Sequence, residues 1–211
     1  MANTNHGAVQ QAAATEPIKF LSKEEAKALE GELYEEYRFG QQQLIEISGH
    51  SCAMAIAKNY EPTIYYPKRS CKPIFLDFTV QCEKMDIPFL SYLPAEVQLI
   101  NDAYNLIIDA VLGLSDEAGL KELYTNILAT MKHVKIPIIS IDVPSGWDVE
   151  KGNTEGINPA VLVSLAAPKK CATQFSGKFH FLAGRYLPDD LQKKYELNPP
   201  DYPGTDCIVQ L

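Results

Sequence analysis

The chain has 211 residues, 46% of them hydrophobic, which suffices for one domain with a sizeable core. Its formal net charge of −8 argues against nucleic-acid binding, because a phosphate-binding surface needs clustered Lys and Arg and the 19 here are scattered. No apolar run approaches the roughly 18 to 20 residues of a membrane span, so no transmembrane segment is expected.

The first 17 residues are polar and alanine-rich, with neither an apolar stretch nor an arginine. Such a segment fits neither a secretory signal nor a transit peptide. It predicts a disordered tail over residues 1–17, followed by one domain over residues 18–211. The five cysteines include no CxxC pair, which favours free thiols over a disulfide framework or a zinc site. These features predict that the protein is located in the cytoplasm.

Helices and short extended segments alternate through the first half of this domain. Ser22 followed by Glu25 has the spacing of a capping box, so the first helix is expected to begin there. A second helix over about 41–58 is rich in small residues, which predicts packing on several sides. The next predicted elements are a strand at 63–67, a helix from Pro73 to about Met85 and an extended segment at 87–90.

The second half contains continuous apolar runs. They lie at 106–112, 136–141, 161–165 and 179–182, with helices expected at 95–104 and 120–133. Continuous rather than alternating apolar strands are typical of a parallel sheet covered on both faces. The predicted fold class is therefore α/β, a three-layer Rossmann-like domain with a mainly parallel sheet. Residues 198–204, rich in proline, predict a loop-like tail.

Two of the apolar runs lead into an aspartate, Asp109 in one case and Asp142 in the other. The carboxyl ends of parallel strands share one rim of the sheet, which is where ligands bind in open α/β folds. The turn after Asp142 would present the Ser145 hydroxyl to the same crevice, and such oxygens suit a hard cation. An aspartate at a strand end also commonly caps its own turn or the next helix. Residue types alone give this structural role the greater weight.

Several separate motifs, in the right order, resemble the YjeF N-terminal domain family. They are the strand ending at Asp109 and the stretches 140–149, 164–169 and 181–188, and the likeness runs from about Phe20 to the C-terminus. Two further stretches, 37–40 and 81–94, resemble a vertebrate paralogue group in the family. The family includes NAD(P)H-hydrate epimerase, also named apolipoprotein A-I binding protein. Its fold is Rossmann-like and usually dimeric, and its enzymes epimerise hydrated, damaged NAD(P)HX and bind a potassium ion.

The resemblance implies roles for particular residues. By position, Asp109 and Ser145 resemble the potassium ligands, and Asp142 resembles the acid that contacts substrate and would be catalytic. The loop after Asp109 resembles the substrate-lining loop, which implies substrate-binding residues at Gly113, Leu114, Ser115, Asp116, Glu117, Ala118 and Gly119, together with Asp142. A homodimer is implied as well.

The chain departs from the family pattern between the small-residue helix and the next strand. Family members place a strand, a Gly- and Asn-rich loop and a helix there, whereas residues 57–60 run directly into 61–66. Glycines in such a loop let backbone N–H groups approach a pyrophosphate, and none of the twelve glycines forms a replacement cluster. One central strand–helix unit is thus expected to be deleted, which would make neighbouring strands re-pair or expose their edges.

The loop 113–119 is the second departure. Asp116 and Glu117 stand where the family's enzymes carry a lysine. Two unit charges near 4 Å interact by about 4 kcal/mol at an effective dielectric near 20, so exchanging attraction for repulsion would weaken substrate binding. For the two acids themselves, the favoured interpretation is that they face water ahead of the helix that follows, which still leaves the loop without its lysine.

Two functions are compatible with these observations. The first is a non-catalytic binding protein, for which the resemblance implies apolipoprotein A-I and HDL as partners, with a role in cholesterol efflux from endothelial cells and hence in angiogenesis. That role would require the protein to be present outside the cell as well as in the cytoplasm. The alternative is an NAD(P)H-hydrate epimerase with a potassium ion. A third reading is a product that folds incompletely and does nothing alone.

Overall fold

The computed structural model describes residues 16–56, 60–112, 121–153 and 155–211. Its helices are α1 (Lys23–Glu35), α2 (Gln41–Ile56), α3 (Pro73–Lys84), α4 (Val97–Ala103), α5 (Lys121–His133) and α6 (Asp189–Lys194), with a 3-10 helix at Lys170–Gln174. Its strands are β1 (Ile64–Tyr65), β2 (Phe89–Leu90), β3 (Ile107–Asp109), β4 (Ile138–Ile141), β5 (Trp147–Asp148), β6 (Gly152–Asn153), β7 (Val161–Leu165), β8 (Phe179–Ala183) and β9 (Val209–Gln210).

The start of α1 follows from two side chains. The Ser22 hydroxyl accepts from the Glu25 N–H at 3.1 Å, and the Glu25 carboxylate accepts from the Ser22 N–H at 2.8 Å. These bonds satisfy two of the donors that a helix N-terminus leaves unpaired, and they confirm the predicted capping box. One residue earlier, Leu21 is buried and bridges to Lys169, which ties the start of α1 to the rim of the sheet.

The main sheet has five strands in the order β3-β4-β7-β8-β9. The first four are parallel, and β9 pairs antiparallel with β8. This confirms the mainly parallel α/β fold expected from the continuous apolar runs. The strand β9 was not anticipated, since it follows the proline-rich stretch that had predicted only a loop-like tail.

A second, separate sheet consists of β1 and β2 alone, also in parallel. In the doubly wound order 3-2-1-4-5-6, the first strand lies between the second and the fourth. The pairs β2-β1 and β3-β4 match the two sides of that position, and the described residues place no strand between them. The deletion was expected either to make neighbouring strands re-pair or to expose their edges, and the structure shows exposed edges. β1 pairs with β2, and β3 lies at an edge of the main sheet.

Helices cover both faces of the main sheet. On one face, Cys52 of α2 packs against Ile139 and Val163. On the other, Ile127 and Met131 of α5 pack against Ile138. These three layers match the predicted architecture. None of the helices in the described ranges combines the length and apolar character that a membrane crossing requires.

The expectation that α2 packs on several sides is wrong. Its buried residues are Leu44, Ser51 and Cys52, which form one face, whereas Met54 is 51% exposed. Small residues allow a neighbouring element to approach the helix closely, but packing on a second side also requires such an element to be present. In the described part of the chain nothing covers this outer face.

Candidate functional site

The candidate site is the rim formed by the carboxyl ends of β3, β4 and β7. Asp109 is the last residue of β3, and in the parallel register it lies opposite Ser140 of β4. Asp142 follows β4 directly, and its N–H donates to Val163 O of β7 at 2.7 Å. Both aspartates therefore lie on one rim, as predicted from the ends of the apolar runs.

Asp109 is a buried carboxylate, 1% exposed, whose oxygens are occupied by protein donors. Its Oδ2 accepts from the Ser140 hydroxyl at 2.8 Å and from the Ser145 N–H at 2.9 Å. Its Oδ1 accepts from the Ser145 hydroxyl at 2.5 Å and from the Val111 N–H at 3.4 Å. The contacts with Ser140 and Ser145 fix the turn after β4 against β3.

The structure brings together the two residues that resemble potassium ligands, Asp109 and Ser145. A carboxylate offers about four lone-pair positions, and the four donors around Asp109 fill them. The described residues also include no group of three or more His, Cys, Asp or Glu side chains that could hold a metal. To ligate a potassium ion, the Asp109 carboxylate would have to release at least one of these hydrogen bonds.

The turn after β4 has an unusual backbone. Asp142 has a φ of 67° and Gly146 a φ of 85°, both in the left-handed region that is costly for most side chains. A Cβ on Gly146 would lie 2.7 Å from the Gly156 Cα, so only glycine fits at this position. Strained conformations of this kind cluster at functional sites, where the surrounding structure holds them in place.

Asp142 forms a buried ion pair with Lys169. Lys169 Nζ donates to Asp142 Oδ1 at 2.5 Å, and the Leu165 N–H donates to the same oxygen at 3.0 Å. Lys169 Nζ also donates to the carbonyls of Leu165, at 2.7 Å, and Ala167, at 3.1 Å. All three ammonium protons are thus used, which is what a buried lysine requires.

The groups around this ion pair stay protonated at neutral pH. Burial raises the pKa of the Cys52 thiol to about 11, and the nearby Asp142 charge adds to this effect. Burial and the same charge raise the pKa of Cys171 to about 11. Burial raises the pKa of Tyr186 to about 12. Neither thiol is therefore poised as a nucleophile.

A cavity of about 140 Å³ adjoins Asp142 and Lys169. Its other walls are mostly apolar and come from Leu21, from α1 and α2, and from the end of β7, with Ala26, Leu29, Leu33, Leu44 and Leu165 among the lining residues. Sites for drug-sized ligands usually enclose about 300 to 1,000 Å³. A larger cavity of about 750 Å³ lies at the opposite end of the strands, beside Pro137 and Ala160, and includes none of the predicted site residues.

The predicted loop 113–119, from Gly113 to Gly119, lies outside the described residues. Sequence reasoning missed Lys169 and Ser140 as members of the site. Lys169 follows β7 on the same rim, so the strand-end rule that found the two aspartates could have pointed to it. Ser140 carried no such signal, because it lies inside an apolar strand.

Comparison with known protein families identifies the family to which the chain belongs. The model of the YjeF-related protein N-terminus matches residues 48–171. A zebrafish (Danio rerio) relative, YjeF N-terminal domain-containing 3, is 55% identical, and the alignment covers 98% of this chain and 100% of the relative. The chain belongs to the YjeF N-terminal domain family.

Two further comparisons agree with this membership. The human YjeF N-terminal domain-containing protein 3 is 49% identical over 230 aligned positions, which cover 90% of this chain and 77% of that protein. The crystal structure of yeast ynu0 superimposes with a TM-score of 0.83 at 29% identity and covers 92% of this chain and 100% of the yeast one. The YjeF N-terminal fold is therefore retained despite the split sheet.

The alignment with the zebrafish YjeF N-terminal protein also bears on the deletion. It extends over 246 positions, whereas this chain has 211 residues, so at least 35 positions are gaps in this chain. That number of positions is enough for a strand, a loop and a helix, which agrees with the missing central unit that the split sheet indicates.

Proposed function

We propose that this chain is a non-catalytic YjeF N-terminal domain protein that binds apolipoprotein A-I and promotes cholesterol efflux from endothelial cells to HDL, and so regulates angiogenesis. The observation that carries the non-catalytic half is the split sheet, in which the described residues place no strand between β1 and β3. In a nucleotide-binding doubly wound sheet, that strand leads into the glycine-rich turn that seats the diphosphate.

The surroundings of Asp142 support the same half of the proposal. A proton-transfer residue must lie within hydrogen-bond reach of its substrate. Here the Asp142 Oδ1 accepts from Lys169 and the Leu165 N–H, and the adjoining cavity among the described residues encloses about 140 Å³, less than the roughly 300 to 1,000 Å³ usual for drug-sized ligands.

The binding half is supported by exposed apolar side chains on and beside α3. Leu76 is 46% exposed and Val80 is 52% exposed, and their i, i+4 spacing puts them on one face of the helix. Met85, next to the end of α3, is 72% exposed. Exposed apolar patches mark surfaces that bind other proteins or membranes. We assign apolipoprotein A-I to this α3 face.

The test is direct binding of purified chain to immobilised, lipid-free apolipoprotein A-I by surface plasmon resonance. The double variant Leu76→Asp/Val80→Asp should weaken binding at least tenfold, because it puts two charges on the α3 face. Leu99→Asp is the matched control: Leu99 is 55% exposed on α4, and its loss should change the Kd less than twofold. Wild-type binding no stronger than that of an unrelated acidic protein, or equal losses in both variants, would contradict the proposal.

The cellular consequence needs its own measurement. Purified chain added to cholesterol-loaded endothelial cells should raise efflux to HDL, and Leu76→Asp/Val80→Asp should not. This function requires an extracellular address besides the cytoplasmic one expected from the sequence. Detection of the untagged endogenous protein in conditioned medium, without release of a cytoplasmic marker, would support that address.

The alternative is an NAD(P)H-hydrate epimerase, and one observation favours it. Asp142 keeps its strained left-handed backbone on a rim shared with Asp109 and Ser145. In that case Asp142 would move the proton, and a potassium ion would require Asp109 to release hydrogen bonds. Interconversion of the two NADHX epimers by purified chain, lost in Asp142→Asn, would establish this alternative; no acceleration above the spontaneous rate would remove it.

A further inference from the structure

The backbone of β3 has one unused side. The Ile107 N–H donates to the Pro137 carbonyl, and in a parallel pair the groups that face the neighbour belong to alternate residues. The N–H and C=O of Ile108 therefore point away from β4. No other strand in the described ranges pairs with β3, and the Ile108 side chain is 48% exposed.

The backbone of β1 has the same property. The Ile64 N–H donates to the Pro88 carbonyl beside β2, so the N–H and C=O of Tyr65 point away from β2. Tyr65 and Ile107 both pack against the hydrophobic cluster that includes Ile127 and Ile138. The two free edges thus rest on one shared core.

We propose that the free edge of β3 binds an extended apolar segment of another polypeptide, which takes the strand position between β3 and β1. Three observations specify this occupant: the outward backbone groups at Ile108 and Tyr65, the packing of Tyr65 and Ile107 on one hydrophobic cluster, and the exposed Ile108 side chain. An extended strand is the element whose main chain bonds such edges, and apolar side chains suit a position between two covered faces. This surface is separate from the α3 face assigned to apolipoprotein A-I.

The test uses a fluorescently labelled, blocked peptide of sequence KVIVLVGK and measures its anisotropy with the full chain. The control peptide KVIPLVGK has a central proline, which removes one N–H donor and disfavours an added strand. We expect saturable binding of the first peptide, and binding of the second at least tenfold weaker. No binding of the first peptide at millimolar protein would overturn the proposal.

Ile108→Pro is the sharpest variant of the chain. The substitution removes the N–H that points away from β4 and leaves every hydrogen bond between β3 and β4 intact. Proline is tolerated on edge strands. Peptide binding should fall at least tenfold in this variant and less than threefold in Ile108→Thr, which keeps the N–H. Equal losses in the two variants would contradict binding by strand addition.

Hydrogen exchange on the wild-type chain is the second readout, so the test does not depend on Ile108→Pro folding. The peptide should slow exchange of the Ile108 and Tyr65 amides, and leave exchange of the Leu99 amide on α4 unchanged. Protection that spares both edge amides would contradict the proposal. A dimer of the chain that sedimentation detects, and that Ile108→Pro dissolves, would also overturn it, because the occupant would then be a second copy.

Discussion

Lys169 and Asp142 form a buried ion pair across the rim of the sheet, with 2.5 Å between Lys169 Nζ and Asp142 Oδ1. Lys169 is 3% exposed, and its other two protons go to main-chain carbonyls. The pair links the turn after β4 to the segment after β7. Lys169 thereby occupies Oδ1, one of the two carboxylate oxygens of Asp142.

Removing the cation should be costly. Lys169→Met leaves the Asp142 carboxylate buried without its partner, and we expect a loss of about 3 to 5 kcal/mol in the free energy of unfolding. The double variant Lys169→Met/Asp142→Asn should recover a large part of that loss. Urea denaturation of the two variants and wild type measures this.

The neighbouring lysine provides the matched control for this prediction. Lys170 makes an exposed ion pair with Glu150 at 3.0 Å, so Lys170→Met should leave the denaturation midpoint close to that of wild type. If Lys169→Met were no more destabilising than Lys170→Met, the structural weight placed on the Lys169–Asp142 pair would be wrong.

Asp109 should be a stability determinant of the fold. Asp109→Ala would leave the two serine hydroxyls and the Ser145 N–H without their buried acceptor, at a cost of about 2 to 4 kcal/mol. Asp102→Ala is the control, because Asp102 is exposed and bonds only the Gln98 side chain among the described contacts. Thermal and urea unfolding of both variants distinguish them, and similar stabilities would contradict this role.

His180 should make stability depend on pH. Burial lowers the pKa of His180 to about 4, below the ordinary value of 6.5, so the unfolded chain takes up a proton that the folded chain refuses. This contribution is intact above pH 6.5 and is lost progressively as the pH falls from 6.5 to 4. The slope is at most about 1.4 kcal/mol per pH unit.

The variant His180→Gln isolates that contribution, because glutamine does not titrate. Denaturation between pH 7.5 and 4.5 should show wild type losing stability faster than His180→Gln as the pH falls. Parallel curves for the two proteins would mean that His180 is protonated equally in the folded and unfolded states.

The N-terminus of α1 gives a second pH-dependent prediction. The Lys19 ion pair and the Ser22 amide lower the pKa of Glu25 to about 2, from 4.5. The stability that Glu25 contributes is therefore present above pH 4.5 and is lost as the pH falls toward 2. Ser22→Ala should cost about 1 kcal/mol at pH 7, and Glu25→Gln should flatten the acid limb of the stability curve. A Glu25→Gln curve with an unchanged acid limb would refute the assignment.

The sequence predicted those parts of the fold whose signals are local. The capping box at Ser22, the start of α3 at Pro73 and the limits of β7 agree with the structure. Each depends on residues within one element: a side chain that caps its own helix, a proline at a first turn, or a run of apolar residues. The short strand β9 has no such signal, because its pairing with β8 depends on a distant segment.

The candidate site was predictable in outline only. The strand-end rule placed Asp109 and Asp142 on one rim, and the structure confirms that placement. It could not assign their partners: Ser145 is 36 residues from Asp109, and Lys169 is 27 residues from Asp142. Which carboxylate receives serine hydroxyls and which receives an ammonium group depends on side-chain directions that only the folded rim determines.

Calorimetric titration of the purified chain with NADH, in buffer containing potassium, tests most directly whether the split sheet has abolished a dinucleotide site. We expect no saturable heat up to millimolar NADH, because the described residues place no strand between β1 and β3, and in a doubly wound sheet that strand leads into the turn that seats the diphosphate. Saturable binding with a micromolar Kd, weakened by Asp142→Asn, would contradict it.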